Sequence, residues 1–186
     1  MRTTLTASTL AAGLLALGLA GPAAAQTAPA ADAASAAPQT YETPIVNTKG
    51  ETIGRIAIRD GANTLVMRVT IQPGGLPAGW HGIHFHAVGT CEDTAKFEQS
   101  KGHVNHDGSK HGLLNPEGPD EGDLPNVYAN ADGSVNAEVS TDTPLTGEGG
   151  LKDADGAALV IHANEDDHAT QPIGNAGARI ACAVIK

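Results

Sequence analysis

The sequence predicts an all-β fold, an antiparallel sandwich or barrel interrupted by two long functional loops. Three observations carry that expectation. Apolar residues recur with a period of two, as half-buried strands require. Short polar breaks containing glycine separate the runs. No stretch after the N-terminal apolar run sustains a helical stripe.

Taken in chain order, the first elements lie outside the fold. Arg2 precedes the apolar run LTASTLAAGLLALGLAG, which ends in PAAAQ with small residues at Ala23 and Ala25. That is the pattern of a secretory signal over residues 1–25, cleaved after Ala25. The run is too short and too rich in alanine and glycine to favour a membrane anchor. Residues 26–40 form an Ala/Pro-rich stretch with almost nothing to bury, and read as a disordered tether. One folded domain is expected over residues 41–186.

The period-two runs follow: Ile56 and Ile58; Leu65, Met67, Val69 and Ile71; Val135, Ala137 and Val139; Ile180, Cys182 and Val184. The breaks NTKGET, RDGANT and NADGS each place glycine in a tight polar turn between strand-like segments. Two irregular regions remain, about Val88 to Pro125 and Asn164 to Gly177. Loops of that length are uncommon unless functional, and these two hold most of the histidines.

Charge and cysteine content narrow the partners and the compartment. The 186 residues carry a formal net charge of −10, and loss of Arg2 with the signal leaves the chain more acidic still. Nucleic acid and anionic membrane are therefore poor partners. Cys91 and Cys182 are the only cysteines, and an even count in an exported chain suggests one disulfide, two buried thiols being the alternative. A disulfide closing so long a loop would stabilise by roughly 4 to 5 kcal/mol in the chain-entropy model.

The chemistry concentrates in histidines. The segment WHGIHFHAVGTCED, Trp80 to Asp93, holds three of the 8 histidines and one of the 2 cysteines. His84 and His86 are one residue apart, so on a strand they share a face and form half a site for copper or zinc. His162 ends the apolar run AALVIH, where a lone histidine serves as a core residue or as a ligand. The run KGHVNHDGSKHGLLNPEGPDEGDLPN mixes His103, His106 and His111 with Asp120, Glu121 and Asp123. Charged loops are commonly just solvated, but imidazoles among carboxylates suit a divalent metal.

Together HGIHFHAVGTC, GHVNHDGSKHG, GDLPN, VIHANEDD and GNAGARIACAVI resemble, in order and across nearly the whole folded region, the copper,zinc superoxide dismutase family. The resemblance implies an eight-stranded Greek-key β-barrel and the dismutation of superoxide to O2 and hydrogen peroxide. It implies copper on His84, His86, His103 and His162, with His103 bridging to zinc. It places zinc on His103, His111 and Asp123. Arg179 matches the arginine that draws the substrate anion to copper and, with His103, is the expected catalytic group. Asp166 matches the carboxylate that links a histidine of each metal. His81 matches a histidine that orients its strand by hydrogen bonding without touching metal. Cys91 and Cys182 match a disulfide pinning the zinc loop to the barrel. A periplasmic or otherwise exported location follows; a homodimer stays open, because no single apolar stretch reads as an interface.

The chain departs from the family pattern twice. Asp120 stands where the family has a third zinc-loop histidine, nine residues after His111 and three before Asp123, and is the expected fourth zinc ligand. His106, where a proline is common in the family, and Glu121 are the alternatives. The loop from Asp167 to Gly174 is short and lacks an obvious steering lysine. Two rival readings differ in class. A metal-holding protein on the same barrel has no need of Arg179 or a bridging histidine, and a disulfide-stapled binding module leaves six histidines unexplained.

Overall fold

The computed structural model describes residues 40–186. The expected signal, residues 1–25, and the expected tether up to residue 39 lie outside the described residues; Thr40, the tether's last residue, instead begins the first strand.

Nine antiparallel strands follow: β1 (Thr40–Asn47), β2 (Thr52–Asp60), β3 (Leu65–Ile71), β4 (Gly79–His81), β5 (Ile83–His86), β6 (Val127–Ala129), β7 (Val135–Thr141), β8 (Ala157–His162) and β9 (Arg179–Ile185). Seven form one sheet in the order β5-β8-β9-β1-β2-β3-β7, and β4 pairs with β6. β4 and β5 are two halves of one strand broken at Gly82, while β6 turns into β7 through residues 130–134. The small sheet thus joins the two ends of the large one. Counting β4 and β5 as one strand gives the eight expected. The segments 72–78 and 142–156 each carry the chain past intervening strands, which makes the order a Greek key.

The three glycine-containing turns fall where the polar breaks placed them, joining β1 to β2, β2 to β3 and β6 to β7. In β3 the alternation is literal: Leu65, Met67, Val69 and Ile71 are buried. Met67 lies opposite Ile58 on one side and Val139 on the other. These residues join Ile45, Ile56, Phe85, Leu159 and Ile161 in the main core. Each such side chain stabilises by roughly 1.5 to 3 kcal/mol through apolar burial.

β9 differs from the sequence reading. Ile180, Cys182 and Val184 marked the strand, but Ala181, Ala183 and Ile185 are buried in the main core, and of the marking residues only Ile180 packs against it. Cys182 joins Cys91, Phe97, Ala158 and Val160 in a second cluster, against which Val184 packs. Every residue from Ile180 to Ile185 is apolar, so hydropathy cannot say which parity faces the core. β8 is buried at every position because the main core takes one face and this second cluster the other. What covers the second face is the long loop after β5. It is tied to β9 by the Cys91–Cys182 disulfide, with Cα atoms 5.9 Å apart across 91 residues.

The two long loops span residues 87–126 and 163–178, and the 3-10 turn Glu98–Ser100 is the one helical piece among the described residues. No helix among them is long and apolar enough to cross a membrane.

Candidate metal centre

The strand β5 sorts its residues by parity. Ile83 and Phe85 enter the main core, while His84 and His86 turn to the opposite face, fully buried beneath the loops. His162, at the end of the neighbouring β8, is buried on that face as well. Ligand atoms of these three rings lie within 4.8 Å of one another. The His103 ring, from the first long loop, stands 4.2 Å from His84 and 5.2 Å from His86 between centroids.

Hydrogen bonds fix which nitrogen of each ring is free. His84 Nε2–H donates to Asp166 Oδ2 at 2.7 Å, His86 Nδ1–H to the Lys101 carbonyl at 2.7 Å, and His162 Nδ1–H to the Gly177 carbonyl at 3.0 Å. A neutral imidazole has one N–H, so the other nitrogen of each ring keeps a lone pair. Those nitrogens, His84 Nδ1, His86 Nε2 and His162 Nε2, are buried without a hydrogen-bond partner, as is His103 Nε2. Burial also opposes protonation. It lowers His84 and His86, His86 strongly and with help from the Arg179 charge, and it brings His162 down to about 3. Four orphaned lone pairs on neighbouring buried rings are a donor set for a borderline metal such as copper.

The loop from 87 to 126 builds a second group. His103, His111, Asp120 and Asp123 place ligand atoms within 4.8 Å of one another. His103 Nδ1 lies 3.0 Å from Asp120 Oδ2 and 3.6 Å from Asp123 Oδ1. His111 Nδ1 lies 2.6 Å from Asp123 Oδ1. Two imidazoles and two carboxylates fit a tetrahedral zinc. His103 therefore offers one nitrogen to each group, and both groups fit the metals the sequence points to. Burial opposes a charge on His111, but Asp123 and Asp166 outweigh it and raise the ring to about 10. Gly122 lets this loop close on the barrel: a Cβ there would stand 2.4 Å from the Phe85 carbonyl oxygen.

His106 and Glu121 lie apart from this group. The His106 side chain is 48% exposed and sits 3.4 Å from Glu121, whose other oxygen accepts the His106 backbone N–H.

Asp166 joins the two groups. Its Oδ2 accepts from His84 Nε2 and its Oδ1 from His111 Nε2 at 3.2 Å. Burial would raise this carboxyl, but the bonds from His111 and His84 hold it well below the usual range. His81 is buried with its Nδ1 2.7 Å from the His162 carbonyl and its Nε2 2.8 Å from the Pro77 carbonyl, so it ties β4 to the end of β8. Arg179 donates to the carbonyls of Phe97 and Lys101, each at 2.7 Å, and to Ser100 Oγ at 3.1 Å. Its guanidinium lines a cleft of about 220 Å³ with His86, His103, Gln171 and Ile173.

Three residues here were not singled out in the sequence. Lys101 offers one carbonyl to both His86 and Arg179. The Gln171 side chain bonds the backbone N–H and C=O of His111 across 60 residues. Asn126 brackets Asp166, accepting its N–H at 2.9 Å and donating to its carbonyl at 2.8 Å. Asn126 alone had a signal, as the last residue of GDLPN.

Comparisons with known proteins identify the family and the fold. Residues 52–185 match the family model for copper/zinc superoxide dismutase. A superoxide dismutase [Cu-Zn] of Caulobacter vibrioides is 46% identical over 142 residues, 74% of this chain and 80% of that protein. Superoxide dismutase [Cu-Zn] 2 of Aquifex aeolicus is 40% identical over 146 residues, 76% of this chain and 84% of that one. The crystal structure of a double mutant of a SOD-like protein from Bacillus subtilis superposes with a TM-score of 0.73 at 36% identity, covering 77% of this chain and 95% of that one.

Proposed function

The chain belongs to the copper/zinc superoxide dismutase family, an oxidoreductase family that uses copper and zinc, and on that premise we propose that it dismutates superoxide at a copper centre joined to zinc through His103. The observation that carries the reading is the set of four buried ring nitrogens without partners, on His84, His86, His103 and His162. These are the copper ligands. His103, His111, Asp120 and Asp123 are the zinc ligands.

Bound copper supplies the one-electron exchange that turns one superoxide into O2 and a second, with two protons, into hydrogen peroxide. The protein's own residues do the rest. Arg179 draws in the anion, its fork held by Phe97, Ser100 and Lys101 so that its charge stays at the cleft. With a net charge of −10 the chain as a whole repels superoxide, so attraction has to be local and focused by the low-dielectric walls. His103 lines the same cleft; its Nε2 carries no proton while it serves as a ligand, so it would take one from solvent when not bound to metal and pass it to the reduced dioxygen species. Asp166 keeps His84 and His111 in fixed orientations, and His81 fixes the backbone that carries His162.

Apoprotein loaded with both metals should consume superoxide, while the metal-free protein and loaded His86→Ala should not. Equal consumption by all three would overturn the reading. The exported, periplasmic location rests on the disulfide and the N-terminal apolar run; cell fractionation tests it. For the homodimer, the surface to be covered is Trp80 and Tyr128, each 51% exposed and packed edge to face. Sedimentation of Trp80→Glu against the parent tests that assembly.

A further inference from the structure

His168 is the one histidine not yet described. Its backbone sits at φ +58°, the left-handed region, although it is not glycine. A non-glycine residue held there costs roughly 1 to 2 kcal/mol, so its surroundings have to hold it. They do so at Asp166. The His168 backbone N–H donates to Asp166 Oδ1 at 2.7 Å.

The ring's protonation follows from Asn126. That amide cannot be flipped, because its Oδ1 accepts the Asp166 N–H and its Nδ2 donates to the Asp166 carbonyl. The same Nδ2 lies 3.1 Å from His168 Nε2, so Nε2 accepts and the ring proton sits on Nδ1. Nδ1 is buried without a hydrogen-bond partner. The charge facing it is Asp166 Oδ2, 3.6 Å away. That oxygen is the one that holds His84.

We propose that His168 is a positioning residue for Asp166: its backbone N–H bonds one carboxylate oxygen and its Nδ1–H faces the other from 3.6 Å. Asp166 then faces three imidazoles, and His168 fixes the direction in which its two oxygens meet His84 and His111. His168 touches neither substrate nor metal. The inference rests on the ligand assignment of the preceding subsection.

Two variants separate the ring from the backbone. His168→Gly keeps the left-handed backbone and its N–H but removes the ring. His168→Asn tolerates the same backbone and restores a side-chain donor. Outer partners of metal ligands are worth 10- to 100-fold in affinity, and His168 stands one step further out. We therefore expect His168→Gly to weaken zinc binding by the apoprotein, read by chelator competition, roughly 3- to 10-fold, with His168→Asn returning most of it. In metal-free protein the Nε2–H protons of His84 and His111 should exchange with water faster in His168→Gly than in the parent or His168→Asn, read by NMR. Parent-like zinc affinity and exchange in His168→Gly would overturn the proposal, and so would equal losses in both variants. Zinc affinity left unchanged by His111→Ala would instead break the ligand assignment, with the exchange result still deciding the role of His168.

Discussion

The strand-borne and loop-borne halves of this site meet at His103 but are built in opposite ways. On the strand side, His84, His86 and His162 hang from β5 and β8, whose alternate residues are locked into the main core. Their rings are buried and neutral. Two of them spend their N–H on backbone carbonyls, at Lys101 and Gly177. On the loop side the ladder shrinks to two single bridges, Asp123 opposite His84 and His103 opposite His86. In the metal-free protein His103, His111, Asp120 and Asp123 contact one another directly, and Asp123 and Asp166 on either side of His111 favour its charged form. The strand half is pre-formed around lone pairs; the loop half is pre-formed around ion pairs. One can lose a ring at modest cost to folding, and the other cannot.

The disulfide is the covalent joint between the halves, since Cys91 belongs to the loop and Cys182 to the strand framework. It should give the largest effect. Cys91→Ser should destabilise the apoprotein by roughly 4 to 5 kcal/mol in the chain-entropy model, measured by urea unfolding. Zinc retention should fall further than copper retention, because the loop half depends on the joint. Equal loss of both metals would remove the distinction between the halves.

Replacing one histidine in each half comes next. His111→Ala leaves the side chains of Asp123 and Asp166, at most 1% exposed, without their cation. Stranding buried charge of this kind costs about 3 to 5 kcal/mol. His86→Ala removes a neutral ring with one hydrogen bond to a carbonyl, so the metal-free fold should lose only about 1 to 2 kcal/mol for that bond. Activity should run the other way, with His86→Ala falling more than about 100-fold, beyond what outer partners of a ligand are worth. Paired melting curves and superoxide assays check both; similar apoprotein stability for the two variants would refute the contrast.

The same division explains what could be read from the sequence. The shared face of His84 and His86 was legible because parity on a strand is a local rule: HxH on β5 puts both rings on one face, whatever packs above it. The turns were legible because glycine in a short polar break has few structural meanings. The face of β9 that enters the core was not legible, since every residue from Ile180 to Ile185 is apolar and no alternation survives. Nor were Lys101, Gln171 and His168. Their roles come from backbone atoms or from contacts such as Gln171 to His111, 60 residues away, and a loop's path is set by such contacts rather than by its own composition. The proposed loop ligands came from the family resemblance and not from any periodicity.

Arg179 bridges the halves from outside, standing on β9 with its hydrogen bonds to the loop carbonyls. It contacts no proposed ligand atom, so Arg179→Ala should leave copper content unchanged while kcat/KM falls about 10-fold, the lower end of what local steering provides. Arg179→Glu should fall further by repelling the anion, and added salt should narrow the gap between variants. Copper loss in Arg179→Ala would show that the guanidinium acts by holding the loop rather than by guiding substrate.

The smallest effect tests the position where this loop's ligand set departs from the family pattern. Asp120 is 5% exposed, its Oδ2 stands 3.0 Å from His103 Nδ1, and its Oδ1 accepts the Gly122 N–H at 3.0 Å. A carboxylate is shorter than an imidazole, so the chain has to bring the backbone closer. It does so through a tight turn in which the Asp123 N–H bonds the Asp120 carbonyl and the Asp120 N–H bonds Asp123 Oδ2. Asp120 is thus held by the residue beside which it would ligate. Its removal leaves three ligands and an intact turn, and zinc affinity should weaken by about 10-fold, near 1.4 kcal/mol. His106, half exposed and engaged with Glu121, should be neutral when replaced by alanine. Chelator competition on the two variants decides between them. Weakening in His106→Ala but not in Asp120→Ala would move the fourth ligand out along the loop, and would mean that zinc binding rearranges the loop half where the strand half stays put.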